Sequence, residues 1–328
     1  MAKTHLVVRQ AGAAGAWKAA RMAAGLGFVA ALVLLVRWPS LGLAVVWGAA
    51  IPAVAASLFL SPVFWRGVCP LASLNEFGNR FGTPAEPSPA TRRALGLAGL
   101  VLFHVLVPAR LILFNHDAAA VTAAALGLGA LAAVLGARFR VRSAFCNALC
   151  PILPVERLYG QAPVLELDRG RCGACTLCTP SGCLDLSGPK NVAQILGPPR
   201  RSGGWLLEPF GLFAAALPGF IVGYFLAPAG PGSAFEVYVH TVAGAGVSAV
   251  IAGAAVLVAD VRSAVALPLL AGASGALYFF FTGPSMAALW GWPPFLGRSL
   301  GILAALLVAG WTIRALRLGR PVPVGQPG

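Results

Sequence analysis

The chain has 328 residues, 58% of them hydrophobic and only 10% charged, and its mean hydropathy is +0.82. Soluble domains carry about 25% charged residues, so this composition excludes an ordinary globular protein and predicts a chain that lives in a bilayer. The formal charge of +14 does not read as nucleic-acid binding. The Arg residues sit in short loops between apolar runs, as the positive-inside bias predicts, and no basic face alternates with aromatics.

In chain order, residues 1–16 form a small, basic arm. Apolar runs follow at 17–36 and 40–60, separated by Arg37, Trp38 and Pro39. Each is about 20 residues long, enough to cross the hydrocarbon. A basic start ahead of an apolar run resembles a signal peptide, but further spans follow, which predicts an uncleaved first helix. The stretch 61–82 holds Cys69-Pro70, and a Pro-rich linker covers 83–89. Runs at 94–115 and 118–136 come next, parted by His116 and Asp117. The stretch 138–160 holds Cys146 and Cys150-Pro151, and a cysteine-rich segment reaches about residue 201. Four more apolar runs lie at 208–228, 237–259, 263–281 and 299–316. The expected fold is an all-α integral membrane protein of about eight spans with a small cysteine-rich, ferredoxin-like segment.

Loop charge fixes the expected orientation. The arm, 61–93, 138–201, the turn at 260–262 and the tail all carry Arg or Lys. The alternate loops, His116-Asp117 and 229–236, carry none, and 283–297 has none before Arg298. Both termini and all seven cysteines are therefore expected on the cytoplasmic side of the inner membrane. The organisation reads as an arm (1–16), two parallel repeats of a hairpin plus a Cys-Pro element (17–160), a cytoplasmic iron–sulfur segment (161–205), four further spans (206–318) and a basic, Pro-rich tail (319–328).

The repeat is visible without gaps. Phe64 matches Phe145, Cys69-Pro70 matches Cys150-Pro151, and Leu74 matches Val155. Proline biases its predecessor away from helix and suits a helix's first turn. Each Cys-Pro is thus expected to start a short amphipathic helix lying along the membrane surface, with the thiol at the N-cap. The helix dipole and a nearby Arg (Arg66 or Arg142) favour thiolate there. Cys146 lies one turn before Cys150, so the two are a candidate redox or metal pair. Trp65 occupies the matching position in the first copy, so Cys69 is expected to have no partner and is the weaker candidate. Buried, inert thiols in a tight turn are the alternative for all three.

Cys172, Cys175, Cys178 and Cys183 form C-x2-C-x2-C-x4-C. Three thiols two residues apart wrap one face of a compact cluster and a fourth closes the cage, close to the ferredoxin run that holds a [4Fe–4S] centre. The last gap is one residue longer than in that run, and Pro180 precedes the fourth cysteine. Structural zinc is the alternative, though zinc usually takes separated C-x2-C pairs or mixes in His, and no His lies here.

Hairpins followed by Cys-Pro elements, then a ferredoxin-like cysteine set, resemble the membrane-bound ferredoxin-type, polyferredoxin-like proteins. These accompany periplasmic nitrate and nitrous-oxide reductases, methylamine dehydrogenase and cytochrome oxidase assembly. The resemblance rests on F-W-R-G-V-C-P (64–70), F-C-N-A-L-C-P (145–151) and the 172–183 run, and covers roughly residues 20–190. It implies electron transfer from a quinone-level donor or support of cofactor maturation. The family often has two C-x3-C-P elements and two ferredoxin sets. Here the first element lacks its leading Cys and one set is present, which implies a single cluster.

Two histidines lie inside apolar runs. His104, mid-way along the third, and His240, in the sixth, are candidate quinone or proton contacts. Their different depths disfavour one haem shared between them, and a plain helix-packing hydrogen bond is the alternative for each. Arg110 is expected to pair with Asp117 or to snorkel outward. The expected function is membrane iron–sulfur electron transfer between a cytoplasmic or quinone-level donor and a membrane or periplasmic acceptor, as an electron-transfer component more than a stand-alone enzyme. The alternatives are copper handling or cofactor maturation at Cys146 and Cys150, since soft thiolates suit Cu(I), and a zinc-stabilised membrane scaffold.

Overall fold

The structure, a computed structural model, describes residues 6–9, 14–83, 85–140, 144–168 and 203–318. Among the described residues, eight helices are long and apolar enough to cross a membrane. They are α1 (Ala14–Arg37), α2 (Pro39–Leu60), α5 (Pro89–Phe114), α6 (Ala118–Arg138), α8 (Pro209–Leu226), α9 (Ala234–Val258), α10 (Ser263–Trp290) and α11 (Pro294–Leu318). Three short helices lie at one end of this bundle: α3 (Pro62–Val68), α4 (Pro70–Gly78) and α7 (Leu153–Tyr159).

Local chemistry explains the boundaries. Ser88 accepts from the Thr91 amide at 3.1 Å and starts α5, and Asp117 accepts from the Ala120 amide at 3.0 Å and starts α6. Proline occupies the first turn of α2, α3, α4, α5 and α8, where its missing N–H costs nothing. The last two spans run further than their hydropathy suggests. Gly283-Pro284 reads as a break, yet α10 continues through it to Trp290. Gly283 sits against the backbone of Gly297 and Gly301, and this close approach locks α10 to α11. The expected loop at 283–297 shrinks to a turn at 291–293.

The fold is not wholly helical. Residues 6–9 of the expected loose arm form β1 (Leu6–Arg9), which pairs in parallel with β2 (Leu165–Asp168). The strand β2 ends four residues before Cys172 in the sequence. Its approach is anchored from α11: Trp311 Nε1 donates to the Ala162 carbonyl at 2.7 Å, and Arg314 donates to the Ala162 and Pro163 carbonyls at 2.9 and 3.0 Å.

The largest core joins α2, α7, α8, α10 and α11. Phe59 stacks on Tyr159 at 4.3 Å and meets the edge of Trp311 at 4.9 Å. A second core, around Phe145, Cys146 and Leu149, packs Ala72 of α4 against Ala132 of α6.

The short helices do not lie on the surface. Helix α4 runs lengthwise beside the end of α6, where Gly78 approaches the Ala133 carbonyl and Gly136 the Asn75 carbonyl so closely that neither site has room for a Cβ. Asn75 Nδ2 donates to the Ala132 carbonyl at 2.8 Å. On the other repeat, Gly99 of α5 packs against the carbonyls of Ala148 and Leu149. Gly99 is six residues past Arg93, about 9 Å along the axis. Both Cys-Pro elements therefore re-enter the bundle below its Arg-rich end. Glycines on α4, α5 and α6 that admit bare backbone are the physical reason.

Candidate functional site

The two repeats meet through the residues next to their cysteines. Arg66 is buried and donates twice to Asn147 Oδ1, at 2.9 and 2.8 Å, and once to the Cys146 carbonyl at 2.7 Å. Its Nε faces Glu156 Oε2 at 3.4 Å, both side chains being 4% exposed. Arg66 and Asn147 are separated by 81 residues, the same offset that aligns Phe64 with Phe145. Equivalent positions of the repeats thus touch. The backbone repeats as well: Cys69 has φ −56° and ψ 124°, and Cys150 has φ −53° and ψ 120°.

This contact brings three thiols together. Cys69, Cys146 and Cys150 line one cavity of about 40 Å³, with Trp65, Arg66 and Glu156 among its other walls. Cys146 is buried, and Cys69 and Cys150 are half-buried. The expectation that Cys69 lacks a partner is thereby corrected. Within its own repeat the position of Cys146 is taken by Trp65, but the fold supplies the thiols of the other repeat. The volume suits one ion or a few water molecules, not a cluster. Among the described residues no three His, Cys, Asp or Glu side chains converge closely enough to hold a metal ion.

The expected thiolates are also corrected. Burial pushes the Cys69 thiol up, against backbone N–H groups of Ala72 and Leu71, and Glu156 adds to the rise more than Arg66 subtracts from it. Burial likewise pushes Cys150 well up, followed by Glu156 and the neighbouring thiols Cys146 and Cys69. Removal from water outweighs the helix dipole, so at neutral pH these are protonated thiols. In a chain with Cys172, Cys175, Cys178 and Cys183 replaced by Ser, maleimide should modify Cys150 at pH 7.5 at least about tenfold more slowly than a free cysteine. The rate should still climb above pH 9, and a plateau reached below pH 8 would contradict the assignment.

The other candidates separate. Cys172, Cys175, Cys178 and Cys183, and Arg142, lie outside the described residues. His104 Nδ1 is 2.8 Å from the Leu100 carbonyl of its own helix, and its ring meets the edges of Phe103, Phe213 and Phe220. His240 Nδ1 is 2.8 Å from the Glu236 carbonyl. Each is thus bonded within its own helix. Arg110 does not pair with Asp117, whose carboxylate caps α6; its Nε donates to Asn115 Oδ1 at 3.0 Å. Sequence reasoning missed Glu156 and Asn147. The available signal was their register: Asn147 and Glu156 fall at the repeat positions of Arg66 and Asn75. No family model matches the chain, and no curated protein or solved structure matches it.

Proposed function

We propose that the chain is a membrane iron–sulfur electron-transfer protein. Cys172, Cys175, Cys178 and Cys183 hold one [4Fe–4S] cluster at the Arg-rich end of the bundle, which loop charge assigns to the cytoplasmic side of the inner membrane. Electrons pass between a cytoplasmic or quinone-level donor and a membrane or periplasmic acceptor. The carrying observation is the C-x2-C-x2-C-x4-C run itself, which begins four residues after Asp168, the end of a strand whose approach is tied to α11. Arg169 and Arg171 beside the run raise the cluster's potential and favour an acidic soluble partner. Anaerobic purification followed by iron, sulfide, copper and zinc analysis tests this. About four irons and four sulfides per chain are expected, both lost in Cys175→Ala. Zinc without iron would overturn the reading.

A second reading is favoured by the shared cavity of Cys69, Cys146 and Cys150: the handling of a single soft ion such as Cu(I). Ligation requires the thiols to lose their protons and the two Cys-Pro turns to close by a small movement. Copper that is retained with Cys175→Ala and lost with Cys150→Ala would favour this function over electron transfer.

A further inference from the structure

The chain just past α4 is stapled to the end of α6. Asn79 Nδ2 donates to the Gly136 and Phe139 carbonyls at 2.9 and 3.1 Å. The Ala85 amide donates to the Arg138 carbonyl at 3.2 Å, and the Arg140 amide donates to the Ala85 carbonyl at 3.0 Å. Gly82 lies between these bonds, against the Ala137 carbonyl. Together they fix where three exposed arginines, Arg80, Arg138 and Arg140, leave the backbone. Phe139 is extended, with φ −127° and ψ 154°. Arg138 and Arg140, two residues apart across it, therefore leave the chain on the same side.

Among the described residues neither Arg80 nor Arg138 makes an ion pair. The acids on either side of Arg80 are already engaged, Glu76 with Arg21 at 2.6 Å and Glu86 with Arg92 at 3.7 Å. Beside this charge lies an apolar step. Phe77 and Phe81 are 53% and 75% exposed and meet edge to face at 4.8 Å. Gly78, next to Phe77, packs against Ala133, which is five residues, about 7.5 Å, further into the bundle than Arg138. Aromatic rings just inside a group of cations mark the depth where acyl chain gives way to headgroup. A ligand that fits is anionic at one end and apolar at the other. Guanidinium and phosphodiester match in charge and in geometry. A soluble anion would leave both rings uncovered, so the arrangement favours a lipid.

We infer that Arg80, Arg138 and Arg140, with Phe77 and Phe81, form a binding site for one anionic phospholipid of the leaflet at the Arg-rich end. The site is independent of the iron–sulfur reading. Native mass spectrometry of the delipidated full chain with dioleoyl phosphatidylglycerol, against dioleoyl phosphatidylcholine, tests it. The first phosphatidylglycerol should bind at least about tenfold tighter than phosphatidylcholine, since each arginine near an anionic headgroup contributes about fivefold. Arg80→Gln and Arg138→Gln should each weaken it about fivefold, and Phe81→Ser should weaken it several-fold through lost apolar contact. Arg317→Gln removes an exposed charge from the same end of the bundle, on α11, and should leave binding unchanged. Should an arginine variant melt below the parent, Phe81→Ser decides the matter, because that ring is mostly exposed. Equal weakening by Arg317→Gln would reduce the effect to the general charge of that face and overturn the inference. So would equal affinity for the two lipids, or parental binding in Arg80→Gln and Arg138→Gln. Displacement by inorganic phosphate, with parental binding in Phe81→Ser, would assign the arginines to a soluble anion and overturn it too.

Discussion

Replacing Glu156 with Gln is expected to destabilise the chain by about 3–5 kcal/mol, because it strands the buried charge of Arg66. Both side chains are 4% exposed and stand 3.4 Å apart. Arg66 keeps its bonds to Asn147 and the Cys146 carbonyl, which places the loss toward the lower end of that range. Removing both charges, in Arg66→Met with Glu156→Leu, should recover most of the stability. Buried pairs are often no better than well-packed apolar residues, since desolvation offsets their attraction. The recovery should be incomplete by about 1–3 kcal/mol, because Asn147 Oδ1 loses both of its donors. Melting in detergent of Glu156→Gln and of the double variant measures this directly. A single variant within about 0.5 kcal/mol of the parent would mean that the repeats are not joined there.

Gly78→Val is expected to have an effect of similar size by a different route. An added Cβ would collide with the Ala133 carbonyl oxygen, and the reciprocal position, Gly136, is as tightly closed by the Asn75 carbonyl. The obstacle is backbone on both sides, so no side chain can swing away. Overpacking usually costs about 1–3 kcal/mol, and more where backbone must shift. Here the relief is movement of α4 away from α6, which carries Cys69 with it. Maleimide labelling of Cys69 should therefore accelerate about tenfold or more in Gly78→Val. Gly127→Ala, on the same α6 but with nothing within 4 Å of its added Cβ, should leave the rate unchanged. Equal rates in all three proteins would contradict the re-entrant placement of the Cys-Pro elements.

The spans were legible because lipid demands long apolar helices and little else competes with that signal. Their ends were less so. Gly283-Pro284 looks like a turn in isolation, and only the backbone of Gly297 and Gly301 shows that Gly283 serves close packing. Asp117 looked like a counter-ion for Arg110, yet a helix start beside it offered a nearer use for the carboxylate. The Cys-Pro elements were legible as the starts of short helices, and their matching backbone angles follow from the shared Pro. Their depth was not, because it depends on glycines that meet backbone about 50 residues or more away in sequence, as Gly78 does at Ala133 and Gly136 at Asn75. The thiol ionisation was misjudged for the same reason: the dipole and the Arg are local and readable, whereas burial is tertiary. The repeat register held the clue to Arg66, Asn147 and Glu156. Alignment alone does not say that equivalent positions meet.

The most direct test of the account is electron paramagnetic resonance on the anaerobically purified chain before and after dithionite. The oxidised protein should be silent, and reduction should give one S = 1/2 signal integrating to about one spin per chain, as for a single [4Fe–4S] cluster. The signal should disappear in Cys178→Ala and persist in Cys150→Ala. A silent reduced protein carrying stoichiometric zinc, or a signal that depends on Cys150 and not on Cys178, would contradict it.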